Sequence, residues 1–167
     1  MNFYLKAIVT IGCMFCATGV FAQKIGHVNA SELLTSLESW KAALSQYDTH
    51  AKMVNDRLEQ QKKTLVDEFQ KVKDQEAQGL LTPKQLEEKQ KYFDDRQNQL
   101  AQDAEKADKE LAQKELELTK PIRDRVTVAI NAVVKEGGYT YIIDTSSGIL
   151  LYADPALDLT AAVKAKL

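Results

Sequence analysis

The sequence predicts an α+β fold, mainly α: a long antiparallel helical hairpin over residues 48–118, projecting from a small body of strands and helices. Three observations carry that prediction. First, residues 48–118 hold a single glycine (Gly79) and a single proline (Pro83), and consist otherwise mainly of Gln, Lys, Glu, Ala and Leu, all strong helix formers. Second, those two breakers lie together, so one helix stops where the next starts. Third, the flanks change texture: residues 23–47 and 119–167 carry fuller apolar faces and short β-branched runs, and form the body.

The first 22 residues stand apart. Lys6 precedes the apolar run Ala7–Phe21, which ends at Val20-Phe21-Ala22 with permissive residues at the −3 and −1 positions. This is the pattern of a secretory signal peptide cleaved after Ala22. The run falls short of the roughly 20 residues a membrane-spanning helix needs. Cleavage removes Cys13 and Cys16, the two cysteines of the chain. An exported chain without cysteine has neither disulfides nor a thiol nucleophile.

After the cleavage site, Lys24-Ile-Gly-His-Val-Asn29 reads as a strand. Asn29 or Ser31 can cap the helix that follows, with Leu33, Leu34, Leu37, Trp40 and Leu44 at helical spacing, and Trp40 is expected in the body's core. The hairpin turn sits near 79–83. Gly79 can adopt the positive φ of a helix C-terminal cap, Thr82 is the next N-cap, Pro83 the first helical residue, and Gln85 completes a capping box. Along the first arm Ala51, Leu58, Leu65 and Val72 recur every seven residues, joined by Val54 and Phe69. Along the second, Leu86, Phe93, Leu100 and Ala107 repeat, joined by Ala104, Leu111 and Leu118. The companion seam is polar, with Gln61, Glu68 and Gln75. One apolar seam zips two helices together without burying them in a globule.

Pro121 should kink or interrupt the second arm, because it removes an intrahelical hydrogen bond. Ile122, Val126, Ala129, Ile130 and Val133 then form an apolar face that ends at Gly137-Gly138. Tyr139–Asp144 and Ile149–Tyr152 are predicted strands joined by a turn at Thr145–Gly148, and both are apolar at nearly every position. Strands of that kind need covering on both faces, by helices or by other subunits. Asp158 caps a last helix bearing Leu159, Val163 and Leu167.

The chemistry of the side chains points away from catalysis. His27 and His50 are the only histidines and fall on different elements, and the carboxylates are interleaved with Lys and Arg as on a solvated face. No phosphate-binding loop, nucleophile elbow or zinc-protease helix motif occurs, so neither an enzyme nor a nucleotide-driven cycle is expected, and no cofactor or metal. The hairpin carries 13 basic against 17 acidic residues, which implies no nucleic-acid partner.

Lys24-Ile-Gly-His-Val-Asn29, Lys120-Pro-Ile122, Gly138-Tyr-Thr-Tyr-Ile-Ile-Asp144, Ile149-Leu-Leu-Tyr152 and Asp158-Leu-Thr160 together resemble the Skp/OmpH family of periplasmic chaperones. The resemblance covers essentially all of residues 23–167 and is tightest over 118–167. It implies a homotrimer in which the strands of three protomers build a shared β-barrel and three hairpins hang from it as tentacles around a cavity. It further implies binding of unfolded outer-membrane β-barrel proteins in that cavity without ATP. On this reading Ile25, Val28, Tyr141, Ile143, Ile149 and Leu151 serve trimerisation, and Leu58, Leu65, Phe69, Tyr92 and Phe93 are candidate client contacts. The family's tentacles are often basic. The acidic hairpin here departs from that pattern, so no lipopolysaccharide or membrane site is carried over. A structural coiled-coil scaffold, or an adaptor of an envelope complex, is the alternative from another class.

Overall fold

A computed structural model describes residues 23–167; the expected signal peptide lies outside the described residues. Along the chain the elements are β1 (Ile25–Val28), α1 (Ala30–Thr35), α2 (Glu38–Ala77), α3 (Pro83–Gly137), β2 (Tyr141–Asp144) and α4 (Thr160–Lys164), with 3₁₀ turns at Thr145–Ser147 and Pro155–Leu157. The fold is thus two long helices forming a hairpin, with a small strand-and-helix body. Contacts divide it into two compact units: the residues up to Leu33 with Val128–Leu167, and Leu34–Thr127.

In the body, β1 and β2 pair in parallel, Ile25 with Tyr141 through Val28 with Asp144. A parallel pair needs a long crossover, and here α1, α2 and α3 all lie between the two strands in sequence. Gly26 permits close packing on β1, since a Cβ there would stand 2.6 Å from Leu159 Cδ1 and 3.2 Å from the Tyr139 ring. On its other edge β1 bridges to Asp158, and the Leu159 N–H donates to the His27 carbonyl at 2.8 Å. Val28, Leu33, Ala129, Val133, Leu159 and Val163 make the core.

The caps follow the sequence closely. Asn29 Oδ1 accepts the Glu32 N–H at 3.0 Å and starts α1. Asp158 Oδ1 accepts the Thr160 N–H at 2.8 Å and starts α4. Lys24 Nζ donates to the Gly137 carbonyl at 2.7 Å, a cation on the negative end of α3. It also stands 4.3 Å from the centre of the Tyr139 ring.

In the hairpin, α2 ends in a Schellman cap: the Leu80 N–H bonds Gln75 O (3.0 Å) and the Gly79 N–H bonds Glu76 O (2.9 Å), with Gly79 at φ 69°. Thr82 and Gln85 then form the reciprocal capping box, the Thr82 N–H reaching Gln85 Oε1 at 2.8 Å and the Gln85 N–H reaching Thr82 Oγ1 at 3.4 Å. The cross-arm pairs Phe69–Phe93, Arg57–Glu110 and Trp40–Arg123 establish antiparallel packing. Ala43, Val54, Phe93, Ala107, Ile122 and Val126 are its buried positions.

Several expectations change. Trp40 is half-buried in the hairpin unit beneath the Arg123 guanidinium, 5.4 Å from the ring centre, rather than in the body's core. Both arm helices run past the 48–118 span read from texture, α2 starting at Glu38 and α3 ending at Gly137. Pro121 does not interrupt α3, which runs through it; burial of Thr119, Ile122 and Val126 around it offsets the lost hydrogen bond and the crowding of its ring. Finally, Ile149–Tyr152 is not a strand. Among the described residues none pairs with it, and a short apolar run takes up strand geometry only where a neighbour accepts its hydrogen bonds.

Candidate functional site

Two sets of side chains stand out, one in each unit. On the hairpin the five residues singled out from the sequence separate by burial. Phe93 is only 4% exposed and belongs to the seam, where its ring meets Phe69 edge-to-face at 5.2 Å and Tyr92 at 5.4 Å. Phe69 and Tyr92, by contrast, are 40% and 41% exposed. The Tyr92 hydroxyl donates to Glu68 Oε2 at 2.9 Å, and that bond pushes the phenol above its ordinary pKa. These two rings are therefore held in place yet face solvent, so they can contact another chain with little further ordering.

Leu58 and Leu65 are half-buried. Leu58, Leu100, Ala101 and Ala104 floor an open groove of about 620 Å³ rimmed by polar and charged side chains that include Asp56, Glu59, Lys62 and Gln97. The methyl side chains of Ala101 and Ala104 leave this floor open where larger residues would fill it. Met53, Val66, Leu80 and Leu116 are more exposed still, and the sequence reading passed over them. Their signal was their position off the seven-residue seam. Across the arms, Glu110 accepts from Arg57 at 3.0 Å and pairs with His50 at 2.9 Å. The Arg57 hydrogen bond holds the Glu110 carboxyl below its ordinary pKa against the opposing pull of desolvation, and the charges of Arg57 and His50 add to it.

In the body, the strand register puts Ile25 and His27 on the same side as Tyr141 and Ile143. His27 is buried, its Nε2 2.9 Å from the Asp154 carbonyl, while Ile25, Tyr141 and Ile143 are 38–55% exposed. Val28, grouped with them from the sequence, is 2% exposed and packs inside the body. Ile149, Leu151 and Tyr152 stand out further, with Leu151 fully exposed. Both strands and the segment after them thus present apolar groups that the body itself does not cover.

Among the described residues no group of three or more His, Cys, Asp or Glu is placed to hold a metal ion, and no helix is long and apolar enough to cross a membrane. The fold and its surfaces define a helical-hairpin protein whose distinctive groups are uncovered apolar faces. Residues 24–167 match the family model described as outer membrane protein (OmpH-like), and the chain belongs to that family. It is similar in fold to the crystal structure of an OmpH-like protein from Caulobacter crescentus described as an outer membrane chaperone, with a TM-score of 0.68 and 18% identity over 88% of this chain and 85% of that one. No curated protein matches the chain.

Proposed function

We propose that this protein is an ATP-independent periplasmic holdase that binds unfolded outer-membrane β-barrel proteins and keeps them from aggregating. The working form is a homotrimer with a cavity between three hairpins. The observation that carries the reading is the uncovered apolar surface of the body: Ile25, Tyr141 and Ile143 on one sheet face, and Ile149, Leu151 and Tyr152 in the segment that follows β2. An apolar segment with no partner among the described residues fits a barrel completed by other copies. The family membership and the description of the Caulobacter protein as an outer membrane chaperone support the client class. The secretory pattern of residues 1–22 supports the compartment.

On the hairpin, Phe69, Tyr92, Leu58 and Leu65 offer many weak contacts, with Met53, Val66 and Leu116 added from the exposed set. Binding the unfolded form in preference to the folded one stabilises it by mass action, with no nucleotide required. The test is light scattering from a urea-unfolded outer-membrane barrel protein diluted into buffer. Stoichiometric trimer should suppress the rise, and unchanged aggregation would sink the proposal. A scaffold or adaptor, the competing class, would instead bind one folded partner tightly and ignore unrelated unfolded barrels.

A further inference from the structure

Among the described residues of the hairpin, one buried acceptor has no protein donor in reach. Gln61, half-buried on α2, holds its Oε1 out of solvent, and no protein N–H or O–H makes a hydrogen bond to it. A dry, unpaired amide oxygen costs more than an ordinary hydrogen bond returns. Beside it lies a cavity lined by Gln61, Leu65, Arg96, Gln99, Leu100 and Asp103, with about 10 Å³ open to a water-sized sphere. That is the lower bound for one water molecule, and the lining supplies the polar partners a buried water requires. Asp103 Oδ1 already accepts from Gln99 Nε2 at 2.8 Å and from Lys106 Nζ at 3.3 Å, which leaves Oδ2 available. Arg96 brings guanidinium donors to the same wall.

We propose that this cavity is a buried-water site. The water donates to Gln61 Oε1 and Asp103 Oδ2, accepts from Arg96, and makes the middle of the hairpin a built-in point of compliance. The seam is dry on both sides of it, at Val54 and Ala107 and at Phe93. At Gln61 a polar group is already hydrated before the helices part, so local opening there exposes less that was satisfied only by packing. The groove floored by Leu58, Leu100, Ala101 and Ala104 thins the packing of the same stretch. This inference rests on the hairpin alone and not on the holdase reading.

Backbone amide exchange on the full chain, wild type against Gln61→Met, tests it. Methionine keeps the length of the side chain and removes the acceptor that needs a water. Exchange over residues 58–65 and 96–103 should slow about tenfold, while residues 69–76 are unchanged. Unchanged or faster exchange over 58–65 would overturn the proposal. A wild-type crystal structure at about 1.8 Å provides an independent check, with a water expected within about 3.2 Å of Gln61 Oε1. A direct N–H from Arg96 or Gln99 at that oxygen would refute the site.

Discussion

Replacing Phe93 by alanine separates the hairpin's packing from its binding face. A phenylalanine buries about 200 Å² of surface, worth roughly 5 kcal/mol at about 25 cal/mol per Å² as an upper bound. Phe93 is nearly fully buried and also makes edge-to-face contacts at 5.2 Å with Phe69 and 5.4 Å with Tyr92, each adding about 0.5–1.5 kcal/mol. Against this, a two-helix seam is open at its sides and can close around a smaller residue, which puts the cost at the low end of the range for such truncations, about 3 kcal/mol. That is roughly a 150-fold change in the unfolding constant. With a urea slope of about 2 kcal/mol per molar, the midpoint followed by far-ultraviolet circular dichroism should fall by about 1.5 M. Phe69→Ala, at a site 40% exposed, should move it by less than half as much while weakening suppression of client aggregation. If Phe69→Ala costs as much stability as Phe93→Ala, the division of these rings into seam and face is wrong.

Three further outcomes are expected. Gly79→Ala should destabilise the hairpin by about 1 kcal/mol in urea titration, a purely conformational cost, because a Cβ there meets nothing within 4 Å while φ is 69°. Glu110 has a folded pKa below the ordinary carboxylate value, so its contribution is complete above about pH 4.3 and is lost as pH falls through the folded value. Glu110→Gln should accordingly flatten the acid limb of the hairpin's stability curve, and an unaltered limb would show that the cross-arm tie is silent. Ile143→Asp, at a site 38% exposed in the single chain, should fold and yet sediment as a monomer, since assembly would bury an unpaired carboxylate.

The turn between the arms was fully legible, because Gly79, Thr82, Pro83 and Gln85 each act through local backbone geometry that a sequence states directly. The long arms were legible for the same reason, in their seven-residue spacing. The fate of Ile149–Tyr152 was not. A run of apolar residues says that a surface will be covered, not by which chain, and a strand is a relation between two segments. Trp40 misled because a large aromatic suggests a globular core, whereas here it lies under Arg123 between two helices. The five candidate contacts were read as one set, although depth in a seam depends on the rotation of each arm about its axis. A heptad alone leaves Phe93 and Tyr92 adjacent in sequence and opposite in role.

On the proposed trimer, the uncovered segment at Ile149–Tyr152 would set a threshold on abundance. A lone chain exposes Leu151 completely and offers an unpaired run of apolar residues, the same hazard that an unfolded barrel presents. Below the concentration at which the proposed trimer would form, such a chain would be open to proteases. Its activity should therefore rise with more than the first power of its concentration, and cells should gain protection steeply once expression passes that point.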